Sequence, residues 1–109
     1  MSDEPTPSLL AIDVQAGDPA VLRLSGDLDP HTAPQLTEAI EALLAEAAPG
    51  TVRIDLGGVS FIDSSGLRTL VAARESLAER GAALALVDPT PNARRLLEVT
   101  GLTPMIDEG

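Results

Sequence analysis

The aliphatic residues of this chain are spaced in two ways, every second residue in some segments and every three to four residues in others. The order of these segments along the chain is the strongest constraint on its fold. Leucine, isoleucine and valine alternate with other residues, at the period of a β-strand, in 10–14, 22–25, 51–56 and 84–87. Apolar residues recur every three to four positions, which predicts helices, near 33–47, 66–80 and 92–100. Thr32 and Gln35 fit a capping box at the start of the first helix. Strands joined through helices run parallel, whereas the first two strands are close enough in sequence to pair as an antiparallel hairpin.

This order predicts a single α/β domain over residues 8–107, with a mixed, mostly parallel sheet of four to five strands and three or more helices. The apolar pair at 105–106 either adds an edge strand or packs on the core. Polar residues such as Arg23 and Asp55 alternate with the aliphatic ones, so we expect one sheet face to carry most of the helices. Residues 1–7, rich in proline and acidic side chains, are expected to form a disordered tail.

The composition argues against several classes of partner. The formal net charge is −10, and all seven basic residues are arginine. A chain this acidic is repelled by phosphate backbones and anionic lipid, so we expect no nucleic acid and no membrane among its partners. The absence of cysteine fits a cytoplasmic location. The single aromatic residue, Phe61, is expected to fill an otherwise aliphatic core.

Polar residues gather in two segments that follow the second and third predicted strands, at 26–31 and 57–65. The carboxyl ends of adjacent parallel strands meet at one edge of a sheet, which is where α/β proteins place their sites. The side chains that we expect to meet there are Asp27, Asp29, His31, Asp63, Ser64 and Ser65. The two serines lie where a helix begins, a position that favours an added anion such as a phosphate. Asp, Ser and Gly are also ordinary capping residues, so this pattern alone does not establish a function.

Enzymatic alternatives lack residues that they need. A phosphoaspartate receiver domain holds its phosphate with a lysine, and this chain has none. A serine hydrolase needs a base beside its nucleophile, but His31 is the only histidine and no Gly-x-Ser-x-Gly turn occurs. A magnesium site built from Asp27, Asp29 and Asp63 has no phosphate to share the ion unless Ser64 is modified. We therefore expect no catalytic activity, no metal and no cofactor.

Three segments resemble motifs of the STAS domain, and of its anti-sigma factor antagonists in particular. They are 24–29 (LSGDLD), 59–67 (VSFIDSSGL) and 93–102 (ARRLLEVTGL). They occur in the order and at the spacing of that family, and the resemblance extends from about residue 9 to residue 106. It implies that the α/β domain is STAS-like.

The resemblance also implies a regulatory function. In such proteins the first serine of the motif, here Ser64, is phosphorylated by an anti-sigma factor that is also a serine kinase and binds the ATP. The unphosphorylated form releases the sigma factor, and a serine phosphatase reverses the modification. The implied partner-binding residues are Asp27, Asp29, His31, Asp63, Ser64, Ser65, Gly66 and Arg68. Ser65 remains an alternative phosphoacceptor, and the alternative role is a STAS subunit of a transporter complex or a scaffold in a signalling assembly.

Overall fold

A computed structural model describes residues 9–107 of the chain, so the tail predicted over 1–7 lies outside the described residues. The strands in this range are β1 (Leu10–Gln15), β2 (Ala20–Leu28), β3 (Thr51–Ile62) and β4 (Ala83–Val87). The α-helices in this range are α1 (Ala33–Glu46), α2 (Ser64–Glu79) and α3 (Pro91–Val99). A single turn of 3-10 helix follows at Thr103–Met105. No helix in the described range is long and apolar enough to cross a membrane.

The strands form one sheet in the order β1-β2-β3-β4. β1 is antiparallel to β2, and the pairs β2–β3 and β3–β4 are parallel. This is the predicted fold class, with α1 and α2 as the crossovers that parallel pairing requires. A fifth strand does not form between residues 9 and 107. Ile106 makes one isolated bridge to Leu86, and Met105 is buried in the core.

The core lies on one face of the sheet, as the alternation of polar and aliphatic residues predicted. Inward-facing strand residues pack with the apolar sides of all three helices in one cluster, which includes Leu22, Ile54, Leu86, Leu36, Leu70 and Leu97. Full burial of an aliphatic side chain is worth roughly 1.5–3 kcal/mol, so this cluster holds the helices on the sheet. The other face carries the ion pairs Arg23–Asp55 at 3.8 Å and Arg53–Asp107 at 3.6 Å.

The third strand is longer than predicted, and residues 57–62 are strand rather than loop. β3 continues through two glycines because it stays paired with β2, with Ser25 opposite Gly58 and Asp27 opposite Phe61. A Cβ on Gly58 would lie 2.8 Å from the backbone oxygen of Leu24, which cannot rotate away, so the close approach of the two strands here requires glycine. The prediction that Phe61 fills the core is wrong. Its side chain is 47% exposed, because Val59 and Ile62 take the inward positions at this end of the strand.

Candidate functional site

The two polar segments meet where β2 and β3 end side by side. Leu28 is opposite Ile62 in the parallel register, and the carbonyl oxygen of Leu28 accepts a hydrogen bond of 3.4 Å from the Asp63 N–H. Gly66 packs directly on the same residue, since a Cβ there would lie 2.6 Å from Leu28 O and 2.7 Å from Leu28 Cγ. The structure thus brings together the two segments that sequence reasoning assigned to one edge of the sheet.

The α2 side of the site begins with Asp63, which is the N-cap of the helix. Its Oδ1 accepts hydrogen bonds from the backbone N–H groups of Ser65 at 2.9 Å and Gly66 at 3.1 Å. Ser64 is the first residue of the helix and is exposed, whereas Ser65 is half-buried. Two of the amide groups that attract anions at a helix start, those of Ser65 and Gly66, are therefore already bonded to the carboxylate of Asp63.

The β2 side of the site is a tight turn organised by Asp29. Its Oδ1 accepts hydrogen bonds from the backbone N–H groups of His31 at 2.9 Å and Thr32 at 3.0 Å. Its carbonyl oxygen accepts one from the Ala33 N–H at 2.8 Å. Asp29 is half-buried, and His31 is exposed at the surface of the turn. The turn thereby connects the end of β2 directly to the first turn of α1.

Thr32 is the N-cap of α1, but the predicted capping box is wrong because its side chain makes no cap hydrogen bond to the helix. The hydroxyl turns back instead. It donates to the carbonyl oxygen of Asp27 at 2.7 Å and accepts from the Asp29 N–H at 3.1 Å. Sequence reasoning missed this role, since a threonine before a helix fits a forward-facing cap equally well.

An open groove of about 610 Å³ runs from this edge between α1 and α2. Pro30, Ser65 and Arg68 line the end of the groove at the site, and small residues such as Thr69 and Ala72 line the part farther along α2. Arg68 is exposed and lies one helical turn after Ser64. Sequence reasoning included Arg68 and Ser65 but not the groove, because small residues on a helix surface are ordinary. The signal for it is that they recur every three to four residues along α2.

The charges at this edge are mainly negative. Asp27, Asp29 and Asp63 lie on its two segments, and Arg68 is the basic residue among those predicted for the site. Within residues 9–107, no group of three or more His, Asp or Glu side chains is placed to hold a metal ion. The arrangement presents an exposed hydroxyl on an acidic surface.

Sequence comparison matches residues 13–107 to the family described as "Mlab, STAS domain". A relative from Listeria monocytogenes, named anti-sigma-B factor antagonist, is 40% identical over 85 residues. That match covers 77% of this chain and 73% of the relative.

Solved structures with a similar fold also include anti-sigma factor antagonists. An anti-sigma factor antagonist from Mycobacterium paratuberculosis is 34% identical with a TM-score of 0.78, over 90% of this chain and 83% of that one. The unphosphorylated anti-sigma factor antagonist SpoIIAA is 26% identical with a TM-score of 0.79, over 89% of this chain and 86% of that one. SpoIIAA in its phosphorylated form is 26% identical with a TM-score of 0.71, over 89% of each chain.

Proposed function

This chain belongs to the STAS domain family, and we propose that within that family it acts as an anti-sigma factor antagonist. It binds an anti-sigma factor that is also a serine kinase, and this binding frees a sigma factor. The kinase, with its own bound ATP, phosphorylates Ser64 and so ends the interaction. A serine phosphatase restores the active form. Relatives that carry the name anti-sigma factor antagonist, at up to 40% identity, support the general role.

The observation that carries the regulatory part of the proposal is the position of Ser64. It is the exposed residue at the first position of α2, and the residues on either side of it in this motif, Asp63 and Gly66, contact Leu28 at the end of β2. Ser65 is a poorer acceptor for a kinase, because it is half-buried whereas Ser64 is exposed. This favours Ser64 over Ser65 as the phosphorylation site.

The chemistry of the surface explains how one phosphate could act as a switch. A phosphoserine carries about −1.5 to −2 charges at neutral pH. The amide groups of Ser65 and Gly66 are bonded to Asp63, so the phosphate would project toward the partner. It would add to the negative charge of Asp27 and Asp29 at the same edge. Every ~1.4 kcal/mol of lost interaction weakens binding tenfold. One unpaired phosphate in the interface is therefore sufficient to switch binding off.

In this proposal the protein is a substrate of the kinase and competes with the sigma factor for the anti-sigma factor. It has no catalytic activity of its own. Among the described residues, no hydrogen bond joins the His31 ring to the hydroxyl of Ser64 or Ser65, the contact with which a base activates a serine. The net charge of −10 disfavours nucleic acid and anionic membranes as partners. We place the protein in the cytoplasm, where sigma factors act. His31→Ala should leave any background hydrolysis of ester and nucleotide substrates unchanged.

Phosphorylation by the kinase tests the proposal. Each anti-sigma factor kinase of the source genome is incubated with the protein and ATP, and the phosphate is located by mass spectrometry. One phosphate on Ser64 is expected with the cognate kinase. Ser64→Ala should abolish it but still bind the kinase, because loss of one exposed hydroxyl costs little.

Ser65→Ala is the matched control and should be phosphorylated like the wild type. Ser64→Asp should weaken binding only in part, since a carboxylate carries less charge than a phosphate. Phosphate on Ser65 alone, or undiminished uptake by Ser64→Ala, contradicts the proposed site.

A further inference from the structure

Thr32 is the only buried polar side chain among residues 9–107, with 0% of its surface exposed. A buried hydroxyl is costly unless it is hydrogen-bonded. Here it donates to Asp27 O and accepts from the Asp29 N–H, and Oγ1 also lies 3.3 Å from Asp29 Oδ1. All of these contacts fall within one turn. The hydroxyl therefore serves the turn rather than the helix that follows.

The two residues held by this hydroxyl flank Leu28 in the sequence. Leu28 is the residue through which the β2 side of the site contacts the α2 side. Its carbonyl oxygen accepts from the Asp63 N–H, and Gly66 packs against it with no room for a Cβ. Leu28 thus joins the turn held by Thr32 to the start of α2.

We propose that Thr32 is a positioning residue for the anti-sigma factor, one that sets the geometry of the partner surface without touching the partner. Its hydroxyl holds Asp27 and Asp29 at a defined position relative to Ser64. This inference rests on the proposed function, because it assumes that both sides of the site contact the same partner. Thr32 itself is buried beneath that surface.

Two substitutions separate the hydroxyl from the rest of the side chain. Thr32→Val keeps the branched shape and removes the hydroxyl, so the Asp29 N–H and the Asp27 carbonyl lose this partner. Thr32→Ser keeps the hydroxyl and removes a methyl group. The Asp29 carboxylate still accepts from the His31 N–H in both variants, so the turn should persist but be less well fixed in the first one.

Thr51→Val is the matched control. It makes the same chemical change at the first residue of β3, at the end of that strand opposite the site. All variants are compared with wild type for affinity to the cognate anti-sigma factor kinase by calorimetry, at a temperature where circular dichroism shows each of them fully folded. Amide hydrogen exchange of the free proteins reports the turn directly.

Thr32→Val should weaken binding about tenfold, because the partner must then fix a turn that the hydroxyl no longer holds in the free protein. Exchange at the Asp29 amide should accelerate by a similar factor. Thr32→Ser and Thr51→Val should bind within about twofold of wild type, within the usual range for substitutions that keep the critical contacts.

Equal affinity of Thr32→Val and wild type would overturn the inference and leave the proposed function intact. An equal loss of affinity in Thr32→Ser would also overturn the inference, because it would assign the effect to packing rather than to the hydroxyl. Unchanged exchange at Asp29 would likewise overturn it. Failure of the wild-type protein to bind any anti-sigma factor kinase of the source genome would overturn the proposed function, and this inference with it.

Discussion

Gly66→Ala adds one methyl group at the contact between α2 and the end of β2. The new Cβ would lie 2.6 Å from Leu28 O, 2.7 Å from Leu28 Cγ and 3.2 Å from Ile62 Cγ1. The nearest atom belongs to the backbone and cannot rotate away. The helix start or the end of β2 must therefore move, and the hydrogen bond from the Asp63 N–H to Leu28 O is strained with them.

Two opposing terms set the size of the effect. Overpacking a well-filled site typically costs about 1–3 kcal/mol. Replacing glycine with alanine in the interior of a helix stabilises the folded protein by up to about 1 kcal/mol. The gain is smaller in the first turn, where Gly66 lies. We expect the steric cost to win, with a net loss of about 1–2 kcal/mol in the free energy of unfolding. For a domain of this size that corresponds to a decrease of roughly 4–9 °C in Tm.

Gly81→Ala provides a control that is destabilised for a different reason. Gly81 follows the far end of α2 and has a φ of +74°, and an added Cβ would meet no atom within 4 Å. The Gly81→Ala variant should lose about 1–2 kcal/mol of folding stability, because alanine is strained in this backbone conformation. Urea unfolding and calorimetry with the anti-sigma factor kinase are applied to both variants.

Both variants should be less stable, but only Gly66→Ala should also bind the partner more weakly while folded. A Gly66→Ala protein as stable as wild type would refute the steric argument. Equal partner affinity of the two variants would refute the coupling of the two segments through Leu28.

Three further predictions concern stability and are checked by urea unfolding. Asp63→Ala should cost about 1 kcal/mol, the usual loss for a helix N-cap, and no loss would show that its two amide hydrogen bonds are unimportant. Phe61→Ala should cost about 1–2 kcal/mol, less than the roughly 3 kcal/mol expected for Leu70→Ala, because Phe61 is half-exposed and Leu70 is fully buried. The reverse order would contradict the described end of β3. Arg23→Gln should change stability by less than about 0.5 kcal/mol, since its 3.8 Å pair with Asp55 is solvent-accessible, and a loss above about 1 kcal/mol would contradict this.

Most of the fold could be predicted because it depends on local periodicity. The helix predicted near 33–47 is observed as Ala33–Glu46, and the one near 92–100 as Pro91–Val99. The helix predicted from 66 begins two residues earlier, at Ser64, because Asp63 caps it there. Such a cap lies before the apolar repeat on which the prediction rested.

The failures occurred where contacts that form on folding, rather than the spacing of residue types, decide local structure. Gly57 and Gly58 are typical turn residues, yet pairing with β2 keeps them in the strand and sends Phe61 outward. Thr32 resembled a helix cap, but its hydroxyl is bonded to Asp27 and Asp29. Neither outcome is encoded in spacing alone, because each depends on which neighbour lies within hydrogen-bonding distance after folding.

The central claim is that phosphorylation of Ser64 ends binding to the anti-sigma factor. The most direct measurement compares the affinities of the unmodified protein and the Ser64-phosphorylated protein for the cognate kinase by calorimetry, after mass spectrometry has verified the site. The phosphorylated form should bind at least about tenfold more weakly, a change of ~1.4 kcal/mol or more. Equal affinities of the two forms would contradict the account.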